Sequence, residues 1–259
     1  MPAVGGETGH ERDMVALDHL LLRALRGEWT ATVPFLPYSG VWPARLLGVT
    51  ADRYLHDATL LARGAVRLAR EFGADGVPLM TDPQMEALSL GCKAHWSEVS
   101  PPSVASHPLG QVAAERFIEA DGDVFPPLPT GSEGRWPIVI EAGRRVRAEL
   151  EGGASDRPVA LIGMVSGPCT IATHLRGLAL FRDVATHPAA ADALFGFAGR
   201  VTAAAARIYV ETIGCDVVVI NDTPAAALKR TYVERYVTPH LQPALRIIHA
   251  AGRVSALWA

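Results

Sequence analysis

Apolar positions along the chain fall into two rhythms. Between residues 13 and 26, Met14, Leu17, Leu20, Leu21, Leu22 and Leu25 recur at helical spacing, and Gly27 stops the run. Helical spacing returns over residues 52–72, with Leu55, Leu60, Leu61, Val66 and Leu68 on one face, then over 137–149 and the alanine-rich 189–212. Short continuous apolar runs alternate with these helices. They are TVPFLPY at 32–38, GVPLMT at 76–81, VALIGMV at 159–165, CDVVVI at 215–220 and RVSALWA at 253–259. Such runs read as strands buried on both faces, as in a parallel sheet covered by helices. Residues 100–137 have no period and hold many of the prolines, so they predict an irregular lid or a tolerated insertion.

Strand–helix alternation of this kind predicts an α/β protein of the (β/α)8 barrel type, folded as one domain over residues 1–259. About five strands are counted against the eight of a closed barrel, so the barrel is expected to be incomplete. An open sheet edge could be closed by oligomerisation.

In a barrel, chemistry gathers where strands end and helices begin. Three places deliver polar groups there. Tyr38 follows the first run and would face the mouth. Asp82 follows the second, either as a catalytic carboxylate or as the N-cap of a helix opening at Pro83. Asn221 and Asp222 follow the fourth. The third run ends in Ser166-Gly167-Pro168 at a helix entry, where free backbone N–H groups favour a negatively charged partner.

Composition narrows the function classes. A net charge of −3 and scattered basic residues give no electrostatic case for nucleic acid or an anionic membrane. Three widely spaced cysteines, Cys92, Cys169 and Cys215, form neither a disulfide framework nor a zinc-knuckle spacing and suggest a reducing cytoplasm. The amino-terminal residues lack the long apolar run of a signal peptide or membrane anchor. A soluble cytoplasmic protein is expected.

The central segment, with Gly163, Gly167, Pro168, Thr170, Ala172 and Gly177, resembles the uroporphyrinogen decarboxylase superfamily, which includes cobalamin-dependent thiol methyltransferases. So do EALSLGCKAHW at 86–96 and YVERYVTPHL at 232–241. The resemblance runs along nearly the whole chain and lacks the family's last third. It implies a wide mouth for a tetrapyrrole or corrinoid ligand, a small-molecule substrate, and an optional corrinoid protein as partner. In the decarboxylase branch it places Asp82 at the catalytic aspartate and His174 near a substrate-facing tyrosine. The family's arginine-rich loop after the first strand is replaced by a segment whose sole arginine is Arg45. In the methyltransferase branch it implies methylcobalamin and a zinc thiolate, yet the family's zinc ligands have no counterpart here. The reading is therefore an enzyme most like the corrinoid-dependent methyltransferases, with Asp82, His174 and Asp222 as catalytic candidates. His174 is expected to exchange a proton near neutrality, and Tyr38, Arg45, Gly167, Thr170 and Asn221 to contact substrate. Tetrapyrrole decarboxylation and non-catalytic pigment binding are the alternatives.

Overall fold

The structure, a computed structural model, describes residues 19–79, 82–119 and 124–259. Three short helices, α1 (Leu20–Leu25), α2 (Trp42–Leu46) and α3 (Ala51–Leu55), precede a long one, α4 (Ala58–Phe72). Strand β1 (Gly76–Pro78) and helix α5 (Met85–Ser89) follow, then a small antiparallel pair, β2 (Ala94–His95) with β3 (Ser103–Val104). Helix α6 (Trp136–Glu149) leads to β4 (Ala160–Ser166), which enters α7 (Pro168–Arg176), α8 (Ala179–Thr186) and α9 (Pro188–Arg207). A π-helical turn, Ile208–Ile213, extends α9 before β5 (Val217–Asn221), and α10 (Thr238–Ala250) precedes β6 (Val254–Trp258).

Strands β1, β4, β5 and β6 lie side by side in that order, all parallel. This is the strand–helix architecture of a TIM-type barrel, with four staves among the described residues. Pleating sends Leu161, Val165, Val218 and Ile220 toward the helices, where they join Leu61, Val139 and Tyr209 in the main core. The opposite face carries Ala160, Ile162 and Val217, and Leu21 and Leu22 of α1 close it near the strand starts. Burying each of those leucines contributes about 1.5–3 kcal/mol. Gly163 is required by the packing, because a Cβ there would stand 2.6 Å from the Tyr209 ring.

Two expectations need correction. Residues 32–38 do not form a strand, since Pro34 and Pro37 have no N–H for a ladder. Only Phe35 between them pairs: it accepts from the Asp75 N–H (2.8 Å) and donates to Asp75 Oδ2 (2.7 Å), laying the segment along the outer side of β1. Residues 52–72 form two helices rather than one. The Asp57 side chain accepts from the Thr59 and Leu60 amides, which stops α3 and starts α4. Part of the irregular segment after residue 100 is tied to the body of the protein. The buried Arg176 guanidinium donates to the Leu109 and Val112 carbonyls, and Leu109, Ala114 and Phe117 share a second apolar core with α7 and α9. Of the first expected helix, residues 13–18 lie outside the described residues, as do 80–81 at the end of the second expected strand. Among the described residues no helix is long and apolar enough to cross a membrane.

The Asp57 cap gives a direct check. Asp57→Ala should cost about 1 kcal/mol, read as a lower urea midpoint at unchanged slope.

Candidate functional site

Register alignment puts Ser166, Asn221 and Trp258 abreast at the carboxyl ends of β4, β5 and β6. Asp82 lies just past β1. Four consecutive strand ends thus share one rim, as parallel connectivity requires.

Asp222 is turned into the protein. Its Oδ1 accepts from the Thr170 N–H (2.7 Å) and the Thr170 hydroxyl (3.0 Å), and its Oδ2 from the Cys169 N–H (3.3 Å). The carboxylate thereby occupies the amino end of α7, whose free N–H groups the sequence pattern offers to a ligand. Gly167 makes this fit, since a Cβ there would sit 2.3 Å from Asp222 Cγ. The Gly167 N–H donates to the Asn221 carbonyl at 2.7 Å, and the single Thr170 hydroxyl proton is shared between that carbonyl and Asp222 Oδ1, each 3.0 Å away. Burial pushes Asp222 up to about 6, with the Thr170 and Cys169 amides pulling the other way.

Asp82 is not the N-cap expected at Pro83, since α5 opens at Met85 with Gln84 as its cap residue. Asp82 Oδ1 accepts from the Gln84 N–H at 2.9 Å, and its Oδ2 forms a buried ion pair with Arg135. Arg135 also lies over the Trp96 ring, 5.0 Å from the centroid. Two further groups complete the cluster. Glu86 of α5 contacts the Ser166 hydroxyl at 2.8 Å, and burial raises Glu86 to about 7. Tyr209 stands behind them with its hydroxyl unpartnered among the described residues.

In front of the rim, the inner sheet face opens into a cleft of about 280 Å³ lined by Tyr38, Ile162, Met164, Val219, Ala256 and Trp258. Tyr38 donates to Met164 Sδ (3.8 Å) and meets Trp258 edge-on at 4.0 Å between centroids. Its phenol is raised by burial and then by the Asp82 charge, so it remains a hydroxyl at neutral pH. Asn221 Oδ1 is buried and has no partner among the described residues. Wider grooves lie on the helical exterior, one of about 580 Å³ beside Arg63 and Arg70, but none of the rim groups reaches them.

The remaining candidates lie elsewhere. His174 is in the last turn of α7, and burial, then His107, push it down to about 4. It is neutral near pH 7, against the expectation that it titrates there, and no hydrogen bond among the described residues joins it to Asp82 or Asp222. Arg45 is exposed on α2, outside the cleft. Among the described residues no three His, Cys, Asp or Glu side chains converge to hold a metal. All three cysteines are buried, and burial raises Cys92 to about 11 and Cys169 to about 12, the reverse of a metal thiolate.

Arg135 escaped sequence reasoning, because it sits 53 residues from Asp82 in an aperiodic stretch. Ser166 and Glu86 were in view only as turn and motif residues.

The sequence model of the uroporphyrinogen decarboxylase (URO-D) family matches residues 16–257. No curated protein sequence matches the chain. Among solved structures, a methyltransferase from Methanosarcina mazei superposes with a TM-score of 0.74 at 23% identity, over 93% of this chain and 68% of that one.

The Asp82–Arg135 pair can be tested by breaking it. Arg135→Ala leaves a lone buried carboxylate and should cost about 3–5 kcal/mol in urea unfolding at pH 7. Adding Asp82→Asn should return about 2 kcal/mol of that, because no bare charge then remains.

Proposed function

The chain belongs to the uroporphyrinogen decarboxylase family, and from that premise we propose that it works as a methyltransferase-type member, moving a methyl group from a corrinoid donor to a thiol. The observation that carries this reading is the cleft at the strand ends. Its described lining is apolar and aromatic, with neither lysine nor arginine. A tetrapyrrole ringed with carboxylates calls for paired arginines, whereas the edge of a flat, weakly charged ring suits Tyr38, Met164 and Trp258. The fold shared with a solved methyltransferase supports the same reading.

A corrinoid, when bound, supplies a methyl group open to nucleophilic attack. The chain's own residues would then bind and orient. Tyr38 and Trp258 stack against the ring edge, and the Tyr38 hydroxyl stays protonated as a donor. Zinc is a different matter: the described residues offer it no donor set, so no step is assigned to it. One observation favours a second reading, tetrapyrrole decarboxylation. The charge of Asp82, which the family resemblance aligns with the catalytic aspartate, reaches Tyr38 in the cleft.

An anaerobic absorbance titration separates the readings. With methylcobalamin, a saturable change followed by loss of the cobalt–methyl band on adding a small thiol is expected. Trp258→Ala should weaken that binding roughly tenfold, the equivalent of about 1.4 kcal/mol of stacking. Preference for a uroporphyrin would shift the assignment to decarboxylation. Pigment binding without turnover would make the chain a carrier, and no saturable change with either pigment would overturn the proposal.

A further inference from the structure

The Ser166 hydroxyl oxygen lies 2.8 Å from the Pro83 carbonyl oxygen and 2.8 Å from Glu86 Oε2. A hydroxyl has one proton to give, and an ionised Glu86 would make both neighbours acceptors. The Pro83 carbonyl can never donate. Each contact has a proton of its own only when Glu86 carries one on Oε2 and gives it to Ser166, while Ser166 gives its own to Pro83; otherwise one proton is shared between two acceptors. The other carboxyl oxygen supplies an independent argument. Glu86 is 1% exposed, and its Oε1 has no partner among the described residues. A bare carbonyl oxygen is a modest cost in that setting, whereas a bare carboxylate oxygen is a severe one.

We infer that Glu86 is a positioning residue that works as a neutral acid: the directional chain Glu86 to Ser166 to Pro83 pins the turn carrying Asp82 to the end of β4. The surroundings agree. Asp82 faces Glu86 from the same turn, and its charge opposes a second carboxylate. Arg135 pairs with Asp82 through Nη2, and no hydrogen bond among the described residues joins it to Glu86. Tyr209, from the π-helical turn, faces the pair with a neutral phenol whose pKa burial raises. From α7, which packs on α5, Cys169 is a neutral thiol and His174 a neutral imidazole near pH 7. Burial therefore dominates and lifts Glu86 to about 7, against the pull of the Ser166 hydroxyl and of the Glu86 and Ser166 backbone N–H groups. Above that pH the Glu86 proton passes to solvent. The carboxylate then competes with Pro83 for the single Ser166 proton, and the Asp82 turn loses its tether. The sign follows from the raised pKa: this stabilisation is present in acid and is lost as pH rises through about 7. The inference does not depend on the methyl-transfer reading.

Glu86→Gln keeps an N–H donor for Ser166 and cannot ionise, so it separates the proton from the packing. The Glu86 side-chain carboxyl carbon resonance of the wild type should titrate near pH 7. Between pH 6 and 8, amide protection at Gln84 and Met85 should fall severalfold in the wild type, after correction for intrinsic exchange, and stay within about twofold in Glu86→Gln. The wild-type urea midpoint should fall relative to the variant over the same range. A Glu86 midpoint in the ordinary range near about 4.3 would overturn the inference, as would equal loss of protection in both proteins. Should the variant fail to fold, the wild-type carboxyl titration decides alone.

Discussion

The seat of Asp222 on the first turn of α7 is the contact on which the rim depends. Strand β5 must end close enough to β4 for one carboxylate to cap a helix that belongs to its neighbour. That approach is open only because residue 167 has no Cβ. Capping satisfies the Thr170 and Cys169 amides and fixes the direction in which α7 leaves the sheet. A helix amino end that could have held a ligand is thereby filled from within. The rim keeps its polar groups but offers a ligand an apolar wall.

Charge is arranged with similar economy at the other end of the rim. Three ionisable groups, Asp82, Glu86 and Arg135, are buried together, and ionising all three would leave an unmatched negative charge. The ion pair takes one carboxylate, and the hydrogen-bond pattern around Ser166 makes the other a neutral acid. Two carboxyl groups four residues apart in sequence thus meet opposite surroundings, one against a guanidinium and the other in a buried setting that holds its proton up to about pH 7. Their surroundings decide this, since neither differs in intrinsic chemistry.

The family resemblance and the structure agree on architecture and part over the details of the site. A shared fold positions strand ends and leaves their side chains free to vary. Here that variation runs toward aromatic and apolar groups. Tyr38 reaches the cleft from a segment that failed to become a strand, and Trp258 from the last stave, so the platform is assembled from residues 220 apart in the chain.

Element order, the buried strands at 159–165 and 215–220, and the helices between them were written in the sequence, because 3.6-residue and continuous apolar periods are local consequences of one-sided and two-sided burial. So was the interruption at Gly167-Pro168, a local matter of backbone geometry. Tertiary structure alone decided whether 32–38 would pair: prolines forbid a ladder there, yet the segment still finds the side of β1 through Phe35 and Asp75. It alone decided the fate of each strand-end carboxylate. Asp82 and Asp222 look alike in sequence, each a carboxylate after an apolar run and close before a proline. One meets a guanidinium 53 residues away and the other meets two amides 52 and 53 residues away. No local pattern encodes such partners, since they are chosen by which strands lie abreast and which glycine lets them close. The sequence therefore determined where polar groups arrive, and the packing decided which of them would be spent on the protein itself.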